Sequence, residues 1–152
     1  MAPPDSQTEG LTSPLDGFAV ENHVGFLLRR AHQRHVSLFG AGMPNGELTP
    51  TQFTALFKTV ERGRVTQNHL GRLAAMDPAT VQGVVRRLIA RGLMRRGRDP
   101  MDRRMVVLEA TEAGVALITR LVPCARGSHD AALAPLNAEE RVRLMAMLRK
   151  LG

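Results

Sequence analysis

The stretch "DPATVQGVVRRLIARGLMRRGRDPMDRRMVVLEATEAG", residues 77–114, decides how the rest of the chain is read. Asp77 followed by Pro78 is a helix start. The carboxylate can accept the first free amides, and a proline at the first helical position gives up no hydrogen bond. Val81, Val84, Val85 and Leu88 recur at spacings of three and four, so they form one apolar stripe on a helix that stops at Gly92. The opposite face carries Ala79, Thr80, Gln82 and Gly83, which are small or short, and then Arg86 and Arg87. After Gly92 the pattern changes. "LMRRGR" and "MVVLEA" read as two short strands around a charged turn at 99–104.

Working outward, residues 16–40 read as a helix, capped by Asp16 and stopped by Gly40 with Gly42 and Pro44 beyond. Val24, Leu28, His32, His35 and Phe39 line its apolar face. Thr49 and Pro50 start a second helix with Phe53, Leu56, Phe57 and Val60 inward, and Gly63 ends it. "TQNHLGRLAAM" is a short third helix with Leu70, Leu73 and Ala74 inward. A long helix begins near Thr111, and Pro123 within it predicts a kink or a break. A last helix starts at Asn137, with Glu139 and Glu140 in its first turn and Arg149 and Lys150 in its last.

Composition agrees with a helical protein. Of the 152 residues 43% are hydrophobic but only 3% aromatic, so the core must be built from Leu, Val, Ala and Met. The net charge of +7 is concentrated. From Arg62 to Arg104 eleven arginines face only Asp77, Asp99 and Asp102, a net of +8 that leaves −1 for the rest of the chain. A basic segment between near-neutral ones is the footprint of a polyanion binder. The single cysteine, Cys124, excludes a disulfide framework and a Cys-based zinc finger. No apolar run approaches the ~18 residues of a membrane span. "MAPPDSQTEGLTSP" lacks the pattern of a signal peptide, so a cytoplasmic protein with a disordered tail at 1–14 is expected.

A short helix, a capped helix and a basic hairpin, in that order, are the parts of a winged helix-turn-helix. In the capped helix, Ala79, Thr80 and Gly83 would allow close approach to base edges. Gln82 can bond adenine, and Arg86 can bond guanine or phosphate. At the hairpin tip Arg104 suits a narrow minor groove, with Arg98 and Arg103 on phosphates. Asp102, two residues earlier, is expected to orient the Arg104 guanidinium through a bidentate pair. The competing reading of each feature is plain: a solvated amphipathic helix and an ordinary charged turn.

These residues carry a resemblance. "LGRLAAMDPATVQGVVRRLIARGLMRRGRDPMDRRMVVLEATEAG" resembles the DNA-binding core of the MarR family of bacterial transcription regulators. The pattern of Leu70, Asp77, Thr80, Val84, Val85, Arg87, Leu88, Gly92, Leu93, Arg96, Asp99, Pro100, Asp102 and Arg104 covers residues 70–104, and Thr111 with Gly114 extends it. The likeness spans about residues 15–152. Ala110 departs from the family's usual Leu. The "MDPATVQGVV" segment is more similar to members that control aromatic-acid catabolism than to multidrug or peroxide sensors.

The resemblance implies a mainly α fold with a small β-hairpin, a winged helix-turn-helix at 49–110 and a helical dimerisation region at 15–48 and 111–152. It also implies an obligate homodimer on a pseudo-palindromic double-stranded operator, with a small-molecule effector bound between the two regions and a repressor's role. An aromatic carboxylate would need a cation or His⁺ beside a flat apolar wall. His23, Phe26, Arg30, His32 and His35 on the first helix, with Phe53 and Phe57 on the second, are the candidates. Each also has an ordinary explanation as core or interface. A zinc site from His23, His32, His35 and His129 lacks a completing carboxylate, and no cofactor or metal is expected. Cys124 lies far from where the family's oxidation sensors carry their cysteine. The competing function is a nonspecific or architectural nucleic-acid protein, which the same +8 segment would serve. An enzyme is not expected, since no catalytic constellation is present.

Overall fold

The computed structural model describes Leu15 and residues 17–152, and among these the chain forms six α-helices and one two-stranded sheet. The expected tail at 1–14 and the cap at Asp16 lie outside the described residues. In order the elements are α1 (Val24–Gly42), α2 (Pro50–Arg62), α3 (Gln67–Leu73), α4 (Pro78–Ala90), β1 (Met94–Arg98), β2 (Val106–Ala110), α5 (Glu112–Leu133) and α6 (Ala138–Leu151). The chain divides into a first compact unit ending at His32 and a second, Gln33–Gly152.

In the first unit a single 3-10 turn, Val20–Asn22, precedes α1. The Phe18 and His23 rings lie 6.1 Å apart, and the Arg29 guanidinium sits 5.6 Å from the centre of the Phe26 ring. Phe18, Val20, Val24, Leu27 and Leu28 are exposed.

In the second unit the capping chemistry appears where the sequence places it. Thr49 accepts the Gln52 amide while the Gln52 side chain accepts the Thr49 amide, a reciprocal cap. Asn137 and Glu140 repeat the arrangement at α6. Thr66 caps α3 and Thr111 caps α5. Leu56, Leu70, Leu88, Met94, Leu108 and Leu121 are fully buried, so α2, α3, α4, α5 and the hairpin share one core. Thr59 is buried with them because its hydroxyl donates to the Ala55 carbonyl at 2.9 Å. Gly71 lets α3 close on α4: a Cβ there would lie 3.2 Å from the Met76 oxygen and 3.4 Å from Val81.

Three expectations are corrected. The first helix starts at Val24 and runs through Gly40 to Gly42, because burying both Phe39 and Met43 carries the helix past the glycine. Along its expected inner face Phe39 is buried, but Val24, Leu28 and His32 are exposed. Finally, of the kink or break expected at Pro123, the break does not occur, and α5 runs through the proline. The proline and Thr119, whose carbonyl loses its partner, are both on the exposed side, where solvent can satisfy the freed group.

Candidate nucleic-acid interface and effector cavity

The start of α4 is built by Asp77. One carboxylate oxygen accepts the Thr80 amide at 2.9 Å and the other accepts the Thr80 hydroxyl at 2.6 Å. These bonds, the hydroxyl's first, hold the Asp77 carboxyl below its ordinary pKa. Thr80 is therefore part of the cap as well as of the outer face. Val81, Val84, Val85 and Leu88 are buried. Ala79, Thr80, Gln82, Arg86 and Arg87 are exposed and Gly83 is half-buried, so the expected outer face of α4 stands clear of the core.

The hairpin is antiparallel, with Arg95 opposite Glu109 and Arg98 opposite Val106. Val65 adds an isolated antiparallel bridge to β2 through two bonds to Leu108, 3.1 and 2.8 Å long. At the tip Asp99 accepts the Met101 and Asp102 amides, at 2.8 and 3.2 Å. The Asp99 amide reaches the Met105 carbonyl at 3.0 Å and closes the turn. The expected ion pair between Asp102 and the Arg104 guanidinium is not formed. Asp102 instead accepts the Arg104 backbone amide at 3.0 Å. A carboxylate two residues before an amide meets that amide more readily than the end of a long exposed side chain. Asp102 thus shapes the tip through the backbone, and the Arg98, Arg103 and Arg104 side chains are exposed.

Sequence reasoning missed two contributors to the wing. One is Asp99, which a turn-forming Asp-Pro pair could have signalled. The other is Glu109, whose carboxylate holds Arg64 at 2.5 Å and Arg95 at 2.8 Å. Bonds from Arg64 first, then Arg95, lower the Glu109 pKa. They tie the loop before α3 to both strands. No local pattern announces a partner so far along the chain.

The aromatic candidates of the second unit form a chain of rings. His35 lies 6.0 Å from Phe39, Phe39 meets Phe53 edge-on at 5.6 Å, and Phe53 stacks on Phe57 at 5.9 Å. Phe53 and Phe57 wall a cavity of about 460 Å³. Its other wall is α5, with Val122, Ala125, Arg126, His129 and Asp130. A cation and an imidazole, Arg126 and His129, line this cavity beside the two rings. Neither residue was placed here from the sequence, although Val122, Arg126 and His129 follow the spacing of one helical face. His23, Phe26, Arg30 and His32 belong to the first unit, where Phe26 is half-buried and the other three are exposed. Among the described residues no group of three or more His, Cys, Asp or Glu side chains is placed to hold a metal ion. Among the described residues no helix is long and apolar enough to cross a membrane.

A capped helix with a clear outer face, followed by an arginine-tipped hairpin, defines the winged helix-turn-helix class of transcription regulators. The model described as MarR family matches residues 48–106. The HTH-type transcriptional repressor NicR of Pseudomonas putida is 40% identical over 147 residues, 95% of this chain and 93% of that protein. A probable transcriptional regulator from Pseudomonas aeruginosa has a solved structure that is 44% identical, covers 88% of this chain and all of that one, and superposes with a TM-score of 0.83. Bordetella bronchiseptica BpsR, whose DNA binding is regulated by 6-hydroxynicotinic acid, is 39% identical with a TM-score of 0.82, covering 88% of this chain and 96% of that one. The chain belongs to the MarR family. It is a transcriptional regulator and not an enzyme.

Proposed function

We propose that the protein is a homodimeric repressor that binds a pseudo-palindromic DNA operator and is released by a small aromatic carboxylate. The observation that carries this reading is the shared exposure of the outer face of α4 and the arginine tip of the hairpin. In this reading Ala79 and Gly83 permit approach to the major groove, and Gln82, Arg86 and Arg87 make the polar contacts there. Arg104 enters the flanking minor groove, with Arg98 and Arg103 on phosphates and Asp102 shaping the tip. Residues 49–110 then read DNA, while 15–48 and 111–152 join two copies.

A second copy would cover the apolar residues that one chain leaves bare, which concentrate on α1 and α6: Val24, Leu27 and Leu28 on the first, Val142, Met147 and Leu151 on the second. Two-fold symmetry sets two recognition helices on half-sites about one helical turn apart. For the effector, Phe53 and Phe57 offer a flat wall, and Arg126 with His129 offers charge-assisted donors to a carboxylate. The effector of BpsR is of this chemistry. DNA and effector together favour a cytoplasmic protein.

The test titrates purified protein with a duplex from its own upstream region and with random DNA at physiological salt. A preference for the former, lost on adding 6-hydroxynicotinic acid, is the expected result. Equal affinities would support the architectural reading instead. Gln82→Ala sharpens this, because it lowers the preference only if α4 reads bases.

A further inference from the structure

We propose that Glu47 is a positioning residue that fixes the angle of the recognition helix from α5, the helix that walls the cavity. The proposal rests on α4 being the recognition helix, as argued above.

Glu47 directly follows the 3-10 turn Pro44–Gly46 and faces two ways. Its carboxylate grips Arg120 of α5 as a two-toothed fork, 2.6 and 2.9 Å long. Its backbone carbonyl accepts from the Arg91 guanidinium at 2.5 Å, and Arg91 is the capping residue at the end of α4. One residue therefore joins the end of the recognition helix to the body of α5. Arg120 comes first among the causes that lower the Glu47 pKa, so the fork is charged throughout the neutral range.

A second tie lies at the start of α5. The Thr111 hydroxyl donates to the Gly92 carbonyl at 2.6 Å, and the Thr111 amide donates to Leu93 at 3.1 Å. A single tie is a pivot. A second one nine helical residues on, at about 1.5 Å of rise per residue, turns the pivot into a rigid bracket. Arg126 and His129 continue the same helix. A small rotation of α5 at the cavity is therefore delivered to the end of α4 through Arg120, Glu47 and Arg91.

The Arg120 side chain is 56% exposed, and an ion pair of that exposure adds little to stability. Its removal should leave the fold intact and change only the setting of α4. That makes the proposal separable from a merely structural role.

The experiment measures operator and random-duplex affinity for the full chain, Glu47→Gln, Arg120→Gln and the double variant. The expected operator-to-random ratio falls about fivefold in each single variant and no further in the double, since both remove one interaction. Random-duplex affinity and melting temperature stay close to wild type. The reversed pair, Glu47→Arg with Arg120→Glu, recovers most of the ratio. Unchanged ratios, additive losses, or a fall in melting temperature with the ratio intact would overturn the proposal.

A second arm adds 6-hydroxynicotinic acid as the probe. Glu47→Gln should still bind it, seen as a thermal shift, yet release less DNA than wild type. If wild type ignores the probe, the effector reading fails while the first arm still decides Glu47. If wild type shows no operator preference, the regulator reading falls and this inference with it.

Discussion

Between Asp77 and Ala110 the cap of α4 and the tip of the hairpin are set by near neighbours. Asp77 caps Thr80, Asp99 closes on Met101, and Asp102 holds the amide of Arg104. The cavity is built the other way. Its aromatic wall comes from α2 and its charged wall from α5, and Glu47 in the loop before α2 is tied to Arg120 of α5. The turns and caps of the first region rest on hydrogen bonds that span two or three residues. The second exists only once the core has brought distant helices together. Changes confined to one region should leave the other's binding intact, and only changes at the joint should affect both.

The largest effect is expected where the start of α5 meets the chain just after α4. Gly114 lies against the Leu93 carbonyl, and any Cβ there would collide with it. Gly114→Val should cost about 3 kcal/mol or more, because backbone cannot yield as a side chain does. Urea unfolding checks this, and a variant of near wild-type stability would show that the start of α5 is not seated as described. Next is Arg104→Ala, which should weaken operator binding about tenfold while the thermal shift by 6-hydroxynicotinic acid is unchanged. Equal losses in both assays would break the separation of the two regions. The converse is Arg126→Gln. Probe affinity should drop on the order of tenfold through loss of a charge-assisted bond, with operator affinity in the absence of probe preserved.

The smallest effect is at Asp77. Its folded pKa is lowered by the bonds to Thr80, so the cap stabilises α4 above the ordinary carboxylate range and is lost as pH falls through the lowered value. Asp77→Ala should therefore melt slightly earlier than wild type at neutral pH. The gap should hold down to about pH 5 and close in more acid solution. Melting curves across that range test the sign, and a gap that widens in acid would contradict it.

Glu109 and Glu47 show where sequence reading stops. Neither has a Lys or Arg within four positions in the sequence, and by local pattern alone each is a solvated charge. Only the packing of β2 against the Arg64 loop, and of the α1–α2 loop against α5, gives them partners. The same limit explains Arg126 and His129. Their helical spacing was visible, but which face of α5 meets Phe53 and Phe57 was not.

The sequence by itself determined α2 to α6, the caps at Thr49, Asp77 and Asn137, the hairpin and the clustering of arginine on one segment. Those features depend on hydrogen bonds and periodicities spanning a few residues, which composition and spacing report directly. The tertiary structure alone decided which cations face the cavity, that Asp102 serves the backbone, and that Glu47 bridges α4 and α5. Those depend on close packing between segments far apart in the chain, where a change of one helical face exchanges one partner for another.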